Sequence, residues 1–299
     1  MSKLSSLLAT LAISLLVCSV SYADKVNQSN SKQKDSQQNK KAISPRVIAL
    51  APHIVEMLFD VGAGEQIIGT TGFADYPKQA EDIPRVGNYV RLQIEKVIEL
   101  QPDIIFAWKS GNPSDDLERL SKLGFNIVYS QPNSFADIAK EMRQFAQLTG
   151  HKAQGDIVAA QFLQDLAKLE QQYHDKTPVN LFYELWSRPL TTVAKGSWPQ
   201  QHINICRGHN AFEQAETPYP QVNIEKVLQA PIDVIIQPLS ENQKDREGFN
   251  WEDWTSINAV KNNQIIKPDA DALHRMTKRS LVELTKLCAE IDKVRISKS

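Results

Sequence analysis

A gapless internal repeat is the feature of this sequence that most constrains its fold. Residues 92–106 align without gaps with residues 222–236, and both segments read as a short helix followed by an apolar strand. Within the repeat, Glu95 matches Glu225, which lies 130 residues further along the chain. Short helix–strand units can match by chance, but two similar halves explain the match more economically. The sequence therefore predicts a chain built from two related lobes.

Strands alternate with helices on both sides of a long helical zone at residues 134–177. Such alternation is typical of parallel sheets whose strands are joined by right-handed helical crossovers. Inside the zone, apolar periodicity predicts a helix from about Lys152 to Tyr173, which would be about 30 Å long and could join two lobes. The predicted fold class is therefore α/β: two Rossmann-like lobes, residues 45–133 and 178–299, with central parallel sheets joined by a long rigid α-helix and with a ligand cleft between the lobes.

The N-terminal 44 residues predict an exported protein. Met1–Lys3 supplies a positive start, residues 4–20 are almost wholly apolar or small, and Ser21–Ala23 offers a signal-peptidase pattern. Residues 1–23 are thus predicted to be a cleavable signal peptide; a retained membrane anchor is the alternative, because the apolar run is marginal for a hydrocarbon core of about 30 Å. Residues 24–44 are polar and lack aromatics, so they predict a disordered leader.

The cysteine count fits an oxidising compartment. The chain has three cysteines, and Cys18 would leave with the signal peptide. Cys206 and Cys288 then remain, and two cysteines in an exported protein favour one disulfide. Two buried free thiols are the alternative.

Motifs for catalysis, metal binding and nucleic-acid binding are missing from the sequence. There is no phosphate loop, no dinucleotide fingerprint, no nucleophile elbow and no His-Glu-x-x-His motif. The formal net charge is -1 and no block of like charge stands out in residues 45–299, so nucleic acid is not an expected partner. Four of the six histidines could converge in space, although isolated loop histidines are the favoured interpretation: His53, His202, His209 and His274. Neither a catalytic residue nor a metal site is predicted.

Aromatic residues instead populate the segments that follow or separate the predicted strands. They are Phe73, Tyr76, Tyr89, Trp108, Trp186, Trp198 and Tyr219. Open parallel sheets bind ligands beyond the carboxyl ends of their strands. Aromatic side chains there make flat, rigid walls for a large conjugated or apolar ligand. The loops therefore predict a solute-binding cleft, with about half of these aromatics lining it.

Several segments of the sequence resemble a known family. They are residues 46–52 with Glu56, 75–77, 94–96, 101–103 and 107–112. Together they are similar to the periplasmic cobalamin (vitamin B12)-binding proteins. More broadly, they resemble the solute-binding proteins with a helical backbone that serve importers of cobalamin, haem and ferric siderophores. The similarity runs from Arg46 to about Val294.

This resemblance implies roles for individual residues. The implied ligand-binding residues are Pro52, Phe73, Tyr89, Trp108, Trp186, Tyr219, Asp271, Ala272, Leu273, His274 and Arg275. The sequence departs from the family pattern at some of them: Phe73 replaces a tyrosine, Tyr89 replaces a tryptophan, the loop of Trp186 differs, and residues 271–275 lack the expected aromatics. Cys206 and Cys288 match the disulfide pair of the family.

The resemblance also implies two permease-docking residues, Glu95 and Glu225, one acid for each lobe. In the family such acids form ion pairs with arginines of the membrane permease, and the internal repeat places them in equivalent positions. The alternative is that they are solvated carboxylates favoured by the helix dipole at a helix start.

The implied function is the periplasmic solute-binding component of an ABC importer. The protein would bind cobalamin or a related corrinoid, with Asp271 and Arg275 bonding its peripheral amides, and would deliver it as a monomer to the inner-membrane permease and its ATPase. Cobalamin would be the transported ligand, and no cofactor is expected. Haem and a ferric siderophore are the alternative ligands. An exported metal-dependent hydrolase and a non-transport adhesin or scaffold are the alternatives of other classes.

Overall fold

Two four-stranded parallel sheets form the frame of the folded chain. The computed structural model describes residues 44–240 and 248–297, so the predicted signal peptide (1–23) and most of the predicted leader (24–44) lie outside the described residues. The first sheet contains β1 (Val47–Ala49), β2 (Ile67–Thr70), β3 (Ile104–Trp108) and β4 (Ile127–Ser130). The second contains β5 (Val179–Tyr183), β8 (Gly208–Asn210), β9 (Val234–Ile236) and β10 (Ile265–Ile266), and β6 (Trp186–Ser187) pairs with β7 (Leu190–Thr191) in a separate antiparallel hairpin.

Ten α-helices connect and cover the sheets in the described part of the chain. In the first half they are α1 (Pro52–Asp60), α2 (Ile94–Leu100), α3 (Ser114–Lys122), α4 (Phe135–Leu148) and α5 (Lys152–Tyr173). In the second half they are α6 (Trp198–Ile205), α7 (Ile224–Gln229), α8 (Asn258–Lys261), α9 (Ala270–His274) and α10 (Lys278–Ser297). Two 3-10 helices, Gly64–Gln66 and Lys78–Asp82, flank β2 and the loop after it.

The two sheets have the same topology, as the internal repeat predicts. The strand order is β2-β1-β3-β4 in the first sheet and β8-β5-β9-β10 in the second. In each sheet, therefore, the strand that comes second along the chain is at one edge, followed by the first, the third and the fourth. The repeated helix–strand units are α2–β3 and α7–β9, which occupy equivalent inner positions. The prediction of two parallel-sheet lobes is confirmed.

The inner strands are apolar because both of their faces are covered. In the first sheet, Val47 and Phe106 point into the core beneath α1 and α4, whereas Ile48 and Ile105 point into the core beneath α2 and α3. Phe106 packs against Phe145 of α4, with their ring centroids 4.4 Å apart. The alternation of successive side chains across a strand explains why a short continuous apolar run serves two cores.

The α4–α5 hairpin carries the core from one sheet to the other. Phe135 of α4 lies between Phe162 of α5 and Trp198 of α6, with ring centroids 6.2 Å and 4.8 Å away. One continuous cluster of buried apolar residues includes these rings together with strand residues of both sheets. Since the lobes share this core, α5 connects them as a packed strut. No helix of the described residues is both long and apolar enough to span a bilayer.

One local expectation is wrong and another is confirmed. Trp198, expected among the loop aromatics, starts α6 and is buried, because Ser197 accepts a hydrogen bond from the Gln200 N–H as the N-cap. The predicted disulfide is present: Cys206, at the end of α6, is bonded to Cys288 of α10, and both residues are fully buried.

Candidate solute-binding cleft

The predicted ligand-binding residues follow the carboxyl ends of strands in both sheets. Pro52 comes after β1, Phe73 after β2, and Trp108 ends β3; Trp186 comes after β5, and Asp271 after β10. The two carboxyl edges face each other, because the loops that leave them are in contact across the lobes, as described below. Ligands of open parallel sheets bind at such edges, so the cleft between these edges is the candidate site.

Phe73 and Tyr89 stand on adjoining loops of the first lobe. The Gly72 N–H donates to the Gly87 carbonyl at 3.1 Å, which joins the two loops. Phe73 is 61% exposed and Tyr89 is 68% exposed. Phe73 also has a backbone φ of 65°, in the left-handed region that bulky residues rarely adopt. The structure thus holds two aromatic side chains in solvent at one edge of the first sheet.

The Trp108 ring packs against the backbone of the turn that follows it. The Asn112 side chain accepts from the Trp108 N–H at 2.7 Å and donates to the Leu50 carbonyl at 2.8 Å. A Cβ at Gly111 would lie 1.9 Å from the Trp108 ring, so only glycine leaves room for the indole there. The ring also contacts His53 edge-on, at a centroid distance of 5.4 Å.

Trp186 and Tyr219 form the corresponding aromatic surface of the second lobe. Trp186 lies on the β6–β7 hairpin opposite Thr191, which in turn forms a bridge with Gln221 next to the 218–220 segment. Trp186 is 42% exposed and Tyr219 is 48% exposed. The Tyr219 hydroxyl accepts from the Trp198 N–H at 3.4 Å, which ties the loop to the start of α6.

Residues 271–275 divide between the cleft and the core. Ala272 and Leu273 are buried, so their side chains do not line an open surface. His274 Nε2 and the Tyr183 hydroxyl are 2.7 Å apart, and burial lowers the pKa of His274 to about 4. Asp271 accepts a hydrogen bond from Ser240.

An ion-pair cluster joins the two lobes beside the aromatic walls. Arg275 Nη1 lies 3.0 Å from Glu56 Oε1 and 2.6 Å from Asp75 Oδ1, and its Nη2 donates to the Phe73 carbonyl at 3.2 Å. Arg279 adds a second pair of hydrogen bonds to Glu56, of 2.7 Å and 3.2 Å. In the structure, therefore, the Arg275 guanidinium is engaged by the opposite lobe, in addition to the ligand role that the sequence predicts for it.

Sequence reasoning missed the hub of this cluster. Glu56 entered only as part of a family motif, and Arg279 did not enter at all. One signal could have found Glu56: it is a carboxylate on the buried face of α1, together with the buried His53, Ile54, Val55, Met57 and Leu58. A buried acid requires a charged or hydrogen-bonding partner, although the sequence does not say which residue supplies it.

His53 belongs to a buried hydrogen-bond chain and not to a catalytic triad. Its Nε2 lies 3.0 Å from Ser130 Oγ, which donates to Glu141 Oε2 at 2.5 Å. Burial, with a smaller effect of Arg275, lowers the pKa of His53 to about 3, so the imidazole is neutral. The serine is fully buried and bonded to the acid, so it is not presented as a nucleophile. Among residues 44–240 and 248–297, no group of three or more His, Cys, Asp and Glu is arranged to hold a metal ion.

Glu95 and Glu225 occupy equivalent exposed positions. Each is the second residue of its helix, α2 and α7 respectively, in the first turn. Both side chains are exposed. The two acids therefore lie on matching surface elements of the two lobes, as the repeat predicts.

A polar groove of about 520 Å³ lies at the other edge of the second sheet. Two of its lining residues, Asp233 and Gln264, directly precede β9 and β10, so the groove sits at the amino ends of these strands. Parallel sheets bind ligands at the opposite edge, and this groove is not the candidate site.

Comparison with known proteins agrees with this architecture. Residues 47–272 match the family model described as periplasmic binding protein. The vitamin B12-binding protein of Vibrio campbellii is 35% identical over 251 residues, which cover 84% of this chain and 90% of the relative. The vitamin B12-binding protein of Vibrio cholerae serotype O1 is 36% identical over 244 residues, covering 81% of this chain and 87% of the relative.

Solved structures show the same fold. The periplasmic vitamin B12 binding protein BtuF of Vibrio cholerae superposes with a TM-score of 0.75 at 36% identity and covers 84% of this chain and 98% of that chain. The periplasmic heme-binding protein RhuT from Roseiflexus sp. RS-1 gives a TM-score of 0.74 at 22% identity, covering 84% and 99%, and this likeness concerns the fold alone. With a family model that spans most of the folded chain and relatives of this identity and coverage, the chain belongs to the periplasmic binding protein family, whose members are binding proteins and not enzymes.

Proposed function

We propose that this chain is the periplasmic solute-binding component of an ABC importer and that it binds cobalamin or a related corrinoid in the cleft. The observation that carries the proposal is the exposure of four aromatic side chains on loops at the facing carboxyl edges of the two sheets: Phe73, Tyr89, Trp186 and Tyr219. The names of the similar Vibrio proteins support vitamin B12 as the solute.

The aromatic walls suit a corrinoid because its macrocycle has broad apolar faces. Flat side chains bury such faces at a low cost in conformational entropy, since each has only two rotatable side-chain bonds. Polar groups at the cleft then fix the orientation of the ligand. We assign this role to Asp271 and Arg275, which would bond the peripheral amides. Pro52, Trp108 and His274 would shape the pocket, and the buried Ala272 and Leu273 would support it from the core.

Delivery requires docking on a permease. We assign the docking contacts to Glu95 and Glu225, because exposed acids on matching elements of two lobes can meet arginines of a two-fold symmetric permease with its ATPase. The protein would act as a monomer, after removal of residues 1–23 as a signal peptide. In this scheme residues 24–44 are a polar leader, 45–133 and 178–299 are the lobes, and 134–177 are the connecting helices.

Calorimetric titration tests the choice of ligand. The protein is titrated in parallel with cyanocobalamin and with haemin, and a variant pair serves as control: Tyr219→Ala at the cleft and Tyr129→Ala on β4, two tyrosines that are each 48% exposed. We expect one-to-one binding of cyanocobalamin at micromolar or lower concentration, weakened by Tyr219→Ala and unchanged by Tyr129→Ala. If only haemin binds, the ligand is haem and not a corrinoid. If neither titration produces heat, the proposal is contradicted.

A further inference from the structure

We propose that Glu56 is a positioning residue: a buried carboxylate of the first lobe that holds Arg275 and Arg279 of the second lobe and thereby sets the aperture of the cleft. The inference concerns the relation between the lobes and does not depend on the identity of the solute. It assigns to Glu56 a role that differs from ligand contact and from permease docking.

Among the described residues, the four side-chain hydrogen bonds of Glu56 all cross between the lobes. Its side chain is 2% exposed. Oε1 accepts from Arg275 at 3.0 Å and from Arg279 at 2.7 Å. Oε2 accepts from Thr277 at 2.9 Å and from Arg279 at 3.2 Å. The four donors lie 219 to 223 residues away along the chain, so one carboxylate joins α1 to the segment that enters α10.

Arg275 extends the connection to the loop that carries an aromatic wall residue. Besides Glu56, it contacts Asp75 at 2.6 Å and the Phe73 carbonyl at 3.2 Å. Phe73 has the left-handed φ of 65° noted above, and a bulky residue keeps such a conformation only where its surroundings hold it. The guanidinium is therefore placed to fix the position of this loop against the second lobe.

The geometry favours a positioning role over a purely stabilising one. The lobes already share a core through α4 and α5, which does not involve Glu56. The cluster is a second connection, on the cleft side, between α1 with the loop after β2 in the first lobe and the segment from Arg275 to Arg279 in the second. Two connections prevent the rotation that a single strut would permit. Without the carboxylate, Arg279 (21% exposed side chain) would lose its ion-pair partner, and Arg275 (11% exposed side chain) would keep Asp75 and Asp271 but lose the most deeply buried of its three acids. The lobes would then separate to hydrate the two guanidinium groups.

The distance between the lobes can be measured without any solute. Spin labels are attached to Lys122→Cys on α3 and Lys226→Cys on α7, two exposed positions. Cys18→Ser removes the one cysteine outside the disulfide. Electron paramagnetic resonance then gives the distance distribution in three backgrounds: Glu56, Glu56→Gln and, as matched control, Glu141→Gln. Glu141 is also a buried acid, but its partners Ser130 and Gln131 lie in the same half of the chain.

We expect Glu56→Gln to lengthen the mean distance and broaden the distribution, and Glu141→Gln to leave both unchanged. The inference is overturned if the folded Glu56→Gln protein keeps the distribution of the parent. If Glu56→Gln does not fold, Arg279→Gln and Asp75→Asn replace it, because each removes one charged partner from the less buried side of the cluster. An unchanged distance in both of these variants would also overturn the inference. This distance is measured without solute, so its result does not depend on whether the protein binds a corrinoid. The two proposals are therefore tested separately.

Discussion

At the residue scale, the site depends on side chains whose positions are imposed by close neighbours. Trp108 is the clearest example, since its ring occupies the space that a side chain at Gly111 would need. The loop pattern predicts Trp108, at the end of β3, as a pocket residue, and this role stays a prediction. The close contact between the indole and Gly111 could not be predicted, because it depends on the path of the turn after β3 and glycine has no side chain that would indicate it.

The Gly111→Ala substitution should displace Trp108 and weaken solute binding. Its Cβ would lie 1.9 Å from the indole, so the ring must move away from this position. We expect the affinity for cyanocobalamin to fall about tenfold, or about 1.4 kcal/mol, as measured by calorimetry. Gly72→Ala is the control, because its Cβ would meet only Asn88, at 3.9 Å. Equal affinity of the Gly111→Ala and parent proteins would show that Trp108 is not a wall of the site.

The His202→Leu substitution should protect the fold against acid. His202 is fully buried, and neither ring nitrogen has a hydrogen-bond partner among the described residues. Burial, with a smaller effect of His274, lowers the pKa of His202 from 6.5 to about 3. The unfolded chain therefore binds a proton that the folded chain excludes, and stability present above pH 6.5 is lost as the pH falls towards 3.

We expect the parent to lose about 2–3 kcal/mol through this residue between pH 7 and pH 4.5, at 1.36 kcal/mol for each pKa unit. The leucine variant should lack that loss, with urea unfolding at the two pH values as the measurement. His209→Leu, at an exposed position, is the control. Parallel pH profiles of the His202→Leu and parent proteins would contradict the assignment.

At the element scale, most helices and strands were predictable, and the long-range pairings were not. The helix from Lys152 to Tyr173 and the repeated units α2–β3 and α7–β9 agree with the structure because apolar periodicity is a local signal. Trp198 was expected among the loop aromatics because it lies between predicted strands, whereas Ser197 and Pro199 here start a helix. The partners of Glu56 could not be predicted, since a buried acid indicates that it has a partner but not which distant residues supply it.

The Gly155→Ala substitution should destabilise the strut although alanine is the better helix former. A Cβ at Gly155 would lie 2.1 Å from the Ala146 Cβ, so α4 and α5 pack closely at this position. Overpacking of this kind costs about 1–3 kcal/mol, which outweighs the gain in helix propensity of about 1 kcal/mol. Urea unfolding should therefore show a lower free energy of unfolding. Gln154→Ala, at an exposed position of the same helix, should show little change; a more stable Gly155→Ala protein would contradict the close packing of the hairpin.

At the scale of the whole molecule, two similar lobes are joined by a packed strut and by an ion-pair cluster on the cleft side. A continuous core through α4 and α5 favours small movements of the lobes over wide hinge closure on binding. The matching positions of α2 and α7 give both lobes an exposed acid in the first helical turn. In the proposed function, binding and docking use different surfaces and should be separable by mutation.

The double substitution Glu95→Arg plus Glu225→Arg should abolish uptake and leave binding intact. Both residues are exposed, so the fold tolerates the exchange, while two repulsive charges would face the arginines of the permease. Uptake of labelled cyanocobalamin by cells that carry the importer measures the first effect, and calorimetry measures the second. Normal uptake by the double variant would show that the two acids are only solvated helix-start carboxylates.

Equilibrium dialysis against cyanocobalamin tests the central claim most directly. The purified chain is dialysed against a micromolar excess of the ligand, and the corrin absorbance retained with the protein is compared with the protein concentration. The account predicts one corrinoid retained for each chain. Absorbance equal on both sides of the membrane would contradict a corrinoid-binding cleft between the two lobes.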